Sequence, residues 1–125
     1  MSRIALRWRD FDPLGHVNSA IHLTFLETGR DRWLGEALGD RAGSRYVVAR
    51  IEIDYRSEVA LGTEYVESRH ELEAVGRSSV TLRERLTDPA GTTVAEARVV
   101  IVVWDSEEHK PRRVSAAERA ALHAI

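Results

Sequence analysis

A change of hydrophobic period part-way along the chain limits the fold more than any other feature. From about Ser19 to Leu38 the apolar residues Leu23, Leu26, Trp33, Leu34, Ala37 and Leu38 recur at helical spacing. Ile21 and Phe25 widen that face, and Gly39 with the Asp40 to Ser44 stretch reads as the helix end. Beyond Tyr46 the period drops to 2. Tyr46 to Ser57 alternates Ile51, Ile53 and Tyr55 with charged residues, and Glu64 to Val75 places Val66, Leu72 and Ala74 on one face. Ser78 to Leu86 repeats the pattern with Val80, Leu82 and Leu86, and Val94 to Trp104 completes the series. One long helix followed by four successive strands predicts an α+β pair of layers, an antiparallel sheet packed on a central helix.

The punctuation agrees with that order. Arg3 to Arg9 alternates Ile4, Leu6 and Trp8 and reads as a short first strand. Asp10 to Asn18 is loop, in which Pro13 removes a backbone donor and Gly15 permits unusual dihedrals, while Asn18 or Ser19 caps the helix that follows. Gly76 marks a turn or bulge and Asp88-Pro89-Ala90-Gly91 a tight turn. The run Val99 to Trp104 is apolar on both faces, so it belongs in the sheet interior or at a subunit interface. Ser115 and Glu118 have capping-box spacing before a short helix reaching about Leu122.

At 125 residues the chain reads as a single domain able to bury a conventional core. No repeat, low-complexity tract or Pro/Gly/Ser-rich linker divides it. The absence of cysteine removes disulfides, thiolate metal sites and a Cys nucleophile from consideration and fits a reducing cytoplasm. The 18 basic and 20 acidic residues give a formal charge of -2 with the signs interleaved, so nucleic acid is not an expected partner. No segment reads as a signal peptide or has membrane-spanning length, and neither secretion nor membrane insertion is expected. His22, His70, His109 and His123 repeat no metal-ligand spacing, so no metal is expected. His70 shares parity with Val66 and Leu72 and reads as an interior or interface residue. Trp8, Trp33 and Trp104 read as packing anchors, and Arg83-Glu84-Arg85 as a solvated strand face.

The stretch Arg9-Asp10-Phe11-Asp12-Pro13-Leu14-Gly15-His16-Val17-Asn18-Ser19-Ala20, followed by Leu23, Phe25, Leu26, Glu27 and Arg30, says more than periodicity does. It resembles the signature of hotdog-fold acyl-CoA thioesterases of the 4-hydroxybenzoyl-CoA thioesterase type. The likeness continues through Ile51-Glu52-Ile53-Asp54-Tyr55, Gly76-Arg77-Ser78-Ser79 and Val99 to Asp105, nearly the whole chain. Asp-Pro-x-Gly-His-Val-Asn before a helix is the specific part, and the later strands only support it. Many relatives carry a second Asn where this chain has Ser19, and often Tyr where it has His22; neither change touches Asp12, and both are expected to alter pocket shape and acyl preference.

The resemblance implies a hotdog fold, a five- or six-stranded antiparallel sheet wrapped around a long central helix. It also implies homodimers or homotetramers whose site lies between subunits, and an acyl-CoA substrate hydrolysed without a cofactor. A thioester carbonyl is weakly resonance-stabilised and its thiol leaves readily, so the reaction needs a nucleophile and oxyanion donors more than a strong acid. Asp12 is then the nucleophile or the general base toward water. Amides near Asn18 and Ser19 are the oxyanion donors, where the helix dipole favours negative charge. His16 and Asn18 orient thioester or water, although Asn18 is equally read as a cap and His16 as a loop-packing residue. Asp12 has its own plain reading as a turn residue accepting local backbone bonds. Glu27, two turns into the helix, is a further catalytic candidate or else pairs along the helix near Arg30 and Asp31. For the phosphates of CoA the candidates are Arg77, Ser78 and Ser79, with Arg56 and Arg112 behind them. Rival expectations are a thioesterase acting on acyl carrier protein, and a hotdog protein that binds acyl-CoA without turnover.

Overall fold

The computed structural model describes residues 1–39 and 45–125, so the Asp40 to Ser44 stretch read as part of the helix end lies outside the described residues. In chain order the elements are β1 (Ser2–Ala5), a 3₁₀ turn (Trp8–Asp10), α1 (Ser19–Leu38), β2 (Tyr46–Tyr55), β3 (Tyr65–Val75), β4 (Ser79–Thr87), β5 (Thr93–Asp105), β6 (Lys110–Pro111) and α2 (Ala116–His123). The strands form one antiparallel six-stranded sheet in the order β1-β3-β4-β5-β2, with β6 paired to the end of β5. The doubly apolar run Val99 to Trp104 lies within β5, between β4 and β2, which satisfies its backbone on both sides.

Helix α1 lies across the inner face over β1, β3 and β4, with α2 beside it. Phe25, Leu26, Trp33, Leu34 and Leu38 meet Val66, Val80, Leu82, Leu86, Val99 and Ile101 there. Asn18 caps the helix, its side-chain oxygen taking the Ala20 amide at 2.9 Å, and Gly39 ends it at a φ of +62° with its amide on the Gly35 carbonyl. Ser115 and Glu118 form the expected capping box of α2.

Three local expectations fail for identifiable reasons. The first strand stops at Ala5 because Asp10 folds back: its carboxylate takes the Arg7 amide at 2.7 Å and the Arg7 guanidinium at 2.9 Å, closing a 3₁₀ turn that tips Trp8 outward. Trp8 is therefore 85% exposed and anchors nothing within the chain. In β3 the register shifts between Leu72 and Ala74, which reverses parity, turns Ala74 outward and brings Val75 onto the core. In β4 the inward parity of Val80, Leu82 and Leu86 carries Glu84 inside as well, so only Arg83 and Arg85 of that triplet lie on the solvated face.

Candidate active site

The Asp12 loop is a small, doubly strapped structure. The Asp12 amide donates to the His16 carbonyl at 3.0 Å and the Gly15 amide to the Asp12 carbonyl at 3.0 Å, a turn closed by the +84° φ of Gly15. Val17 donates to Val59 at 3.1 Å and Leu61 to Gly15 at 2.9 Å, which ties the loop to the segment after β2. Within this frame the carboxylate of Asp12 divides its work. Oδ1 accepts the Leu14 amide at 2.9 Å, the local turn bond anticipated for an Asp before Pro. Oδ2 lies 3.7 Å from His16 Nδ1, and the side chain keeps 20% of its surface open. One oxygen holds the turn and the other approaches His16 without a hydrogen bond, so the structural and chemical readings of Asp12 are compatible. Asp10, two residues earlier, is sealed in its bonds to Arg7.

The start of α1 follows at once. Asn18 satisfies the Ala20 amide with its side chain and the Ile21 amide with its carbonyl, whereas the Ser19 amide donates to nothing among the described residues. That N–H is a free donor at the positive end of a 20-residue helix. The Ser19 carbonyl, by contrast, accepts the Tyr55 hydroxyl at 3.1 Å, which ties the end of β2 to the helix start. His22, one turn on, is buried, with Nδ1 3.2 Å from the Asn18 carbonyl and its ring edge-on to Tyr55 at 5.3 Å. Burial pushes its pKa below the ordinary range against the opposing pull of the Asn18 and Ser19 carbonyls. Tyr55 is not among the site residues expected from sequence, whereas His22 enters there only as a departure from relatives that bears on pocket shape and acyl preference. His22 falls on the helical face of Leu26 and Trp33, a signal of burial that was present and unused.

The remaining candidates are spread over the molecule. Glu27 is exposed, about 12 Å along the helix axis from Ser19, and borders a separate concavity of about 450 Å³ with Asp31, Tyr46 and Trp104. Its expected pairing with Arg30 is not formed, because Arg30 turns inward to Glu84. Arg77, Ser78 and Ser79 occupy the β3–β4 turn, at the sheet end where Val80 faces Ile101 and Val48 also faces Ile101. The helix start lies at the opposite end, where Tyr55 pairs with Ala95. Ten residues of β2 separate the two ends, about 30 Å of strand. Arg56 is at the near end, half exposed between Asp54 and Glu96. Arg112 is held in a bidentate pair with Glu118 at 2.7 Å and is committed to capping α2.

A second polar cluster lies in the core. Glu84 receives Arg30 through two bonds of 2.9 and 2.8 Å, and His70 Nδ1 lies 2.8 Å from the same carboxylate. His70 Nε2 reaches Ser68 Oγ at 3.1 Å. Burial opposes ionisation of Glu84, but the bonds from His70 and Arg30 outweigh it and hold the carboxyl below its usual range. Ser68, His70 and Glu84 have the bonding order of an acyl-transfer triad. They are not one: Ser68 has 0% exposure, and a methyl group at Gly29 would already collide with its hydroxyl, so no carbonyl can approach. The cluster bolts the helix to the sheet, and His70 is the interior residue its parity indicated.

Solved structures of other proteins share this fold. The model of the thioesterase-like superfamily matches residues 6–122. The chain belongs to the thioesterase-like superfamily. Among solved structures of this kind, a thioesterase from Thermus thermophilus, complexed with coenzyme A and zinc, is 33% identical over 98% of this chain and 90% of its own, with a TM-score of 0.85. A predicted thioesterase from Bacillus stearothermophilus is 25% identical over 98% and 92%, TM-score 0.87. The probable thioesterase YbaW from Escherichia coli is 28% identical over 97% and 94%, TM-score 0.78. No curated protein matches the chain. The fold of this thioesterase-like chain is therefore the expected hotdog, with six strands. Among the described residues no helix is long and apolar enough to cross a membrane, and no group of three or more His, Asp or Glu is placed to hold a metal ion.

Proposed function

We propose that this chain is an acyl-CoA thioesterase in which Asp12 activates water or attacks the carbonyl and the Ser19 amide stabilises the oxyanion. The observation that supports the reading is that one Asp12 oxygen stays outside the turn bond to Leu14 while the Ser19 N–H, seven residues on at the head of α1, donates to nothing among the described residues. A carboxylate that keeps one oxygen free and a positive helix end are the two elements that thioester hydrolysis needs. His16, on the Asp12 side of the loop, orients the water or the thioester, and Asn18 shapes the helix start by capping it. The coenzyme A bound to the Thermus relative supports CoA as the leaving group.

The pocket takes its second wall from another copy. β2 is an edge strand that exposes Val47, Val48 and Tyr55. Antiparallel pairing of β2 with β2 of a second subunit brings the Arg77-Ser78-Ser79 end of one chain beside the Asp12 end of the other. The separation of these residues within one chain is then what a shared site requires, with Arg77 and the turn hydroxyls on the CoA phosphates and Arg56 nearby.

The test is thiol release from a panel of acyl-CoA and acyl carrier protein thioesters. Asp12→Asn keeps an oxygen for the Leu14 amide, so the fold survives while turnover falls by about 10²–10⁴-fold. Wild-type turnover in that variant removes Asp12 from the chemistry, and saturable binding with no thiol from any donor supports a binding protein instead.

A further inference from the structure

His22 makes a bond that neither packing nor the helix requires. Its ring is 3% exposed, and Nε2 lies buried with no hydrogen-bond partner among the described residues. An apolar ring at this position would pack without leaving an acceptor desolvated. What histidine adds is therefore its other nitrogen. A carbonyl oxygen can only accept, so Nδ1, 3.2 Å from the Asn18 carbonyl, carries the proton and donates it to that bond. The same carbonyl already takes the Ile21 amide at 2.9 Å, so the start of α1 is satisfied without the ring.

The Asn18 carbonyl and the Ser19 N–H are the two ends of one peptide unit. The unit is planar and trans, so its N–H points opposite to its C=O. Two donors on the oxygen, one from the backbone and one from the ring, fix the direction in which the free N–H points. A bond accepted at the oxygen also polarises the amide and makes its N–H a stronger donor. Tyr55, edge-on to the ring at 5.3 Å, bonds the next carbonyl, that of Ser19. The N–H of that second peptide is already spent on the Asn18 side chain, so of the two aromatic residues His22 alone acts on the free amide. We infer that His22 is a positioning residue: through Nδ1 and the Asn18 carbonyl it orients and strengthens the Ser19 N–H as oxyanion donor, without itself touching substrate. This rests on the acyl-CoA thioesterase reading and adds to it the side chain that tunes the donor.

The test is a double-mutant cycle on thiol release with His22→Phe, Ser19→Pro and the two combined, beside His22→Asn. An oxyanion donor is worth about 10²–10³-fold and one bond strengthens the next by about 10–30%, so His22→Phe lowers kcat by about 2- to 8-fold and leaves KM unchanged. His22→Asn, whose side-chain NH₂ stands as many bonds from Cβ as Nδ1 does, recovers part of the rate. In the Ser19→Pro background His22→Phe costs nothing further, because the amide it acts through is gone. A merely structural role lowers kcat in both backgrounds. Unchanged kcat in His22→Phe, an equal loss in both backgrounds, or no recovery in a folded His22→Asn variant overturns the inference.

Spectra of the ¹⁵N-labelled, ligand-free protein separate this failure from failure of the thioesterase reading. Burial holds the His22 pKa below the ordinary range, so at neutral pH the ring shows a protonated Nδ1 and a bare Nε2. The Ser19 amide ¹⁵N resonance moves upfield in His22→Phe, as the carbonyl of its peptide unit loses a donor, and His22→Asn reverses the movement. A proton on Nε2 in place of Nδ1, or a Ser19 resonance that His22→Phe leaves unmoved, refutes the role of His22. Wild-type kcat in Ser19→Pro, or no thiol from any ester, refutes the oxyanion assignment or the thioesterase reading and leaves the spectra to decide on His22.

Discussion

Ser19 offers an unusually clean way to remove a single backbone donor. It is the first helical residue after the Asn18 cap, the position where proline is favoured because the missing N–H has no helical partner to lose. Asn18 has φ -62° and ψ 139°, the extended conformation that a residue before proline requires. Ser19→Pro therefore deletes the free amide while leaving the Asn18 cap on Ala20 and the Tyr55 bond to the Ser19 carbonyl in place. With the Ser19 N–H as oxyanion donor, its loss lowers kcat by about 10²–10³-fold. Ser19→Ala, which keeps the amide and removes only the hydroxyl, stays near the wild-type rate. The assay is steady-state thiol release beside thermal unfolding of the same samples. Wild-type kcat in a folded Ser19→Pro variant refutes the oxyanion assignment, and a loss shared equally by Ser19→Ala transfers the role to the hydroxyl.

The interior ion pair predicts a strongly non-additive cycle. Glu84→Leu strands a guanidinium that is 2% exposed and destabilises the chain by about 3–5 kcal/mol, whereas adding Arg30→Met recovers most of that loss in urea unfolding. Because the folded pKa of Glu84 is depressed, its stabilisation is complete above the ordinary value of 4.5 and fades as pH falls below it, so the deficit of the single variant narrows in acid. Gly29→Ala drives a methyl into the Ser68 hydroxyl and His70 ring and destabilises by about 1–3 kcal/mol, read as a lower unfolding midpoint. Glu118, pulled from 4.5 to about 2 chiefly by Arg112, contributes about 2–3 kcal/mol at neutral pH. Wild type and Glu118→Gln should differ by that amount above the usual carboxylate range and converge as pH falls from 4.5 toward 2.

What could be read from sequence follows the strength of the local signal. The helix from Ser19 to Leu38, the Asn18 cap, the Ser115 capping box and the central placement of Val99 to Trp104 all rest on short-range rules of period and end chemistry. The errors arise where one side chain overrides the pattern around it. Asp10 ends the first strand by turning back on Arg7, and the register shift before Ala74 reverses the parity of the strand end. Neither event has a periodic signature. Glu84 is a different kind of error, since its parity with Val80, Leu82 and Leu86 already pointed inward and its charge was allowed to outweigh that. The Asp12 loop was legible because turn, carboxylate and helix start are contiguous in sequence. The distance between that loop and the Arg77-Ser78-Ser79 turn was not, since strand direction and register fix it and single segments do not.

Two polar side chains on the buried face of α1 behave differently. Arg30 and His22 are both almost fully enclosed, and a helix designed only to pack would carry apolar residues at both places. Arg30 is compensated within the chain by Glu84, so its role ends with holding the helix on the sheet. His22 is compensated on one edge only, with Nδ1 on the Asn18 carbonyl and Nε2 buried without a partner among the described residues. Deep in the helix, polar satisfaction is completed by the fold; at its head, the Ser19 N–H donates to nothing among the described residues. On the proposed function, that gradient along a single helix separates scaffold from site, and removal of the Ser19 N–H should lower turnover without altering the fold.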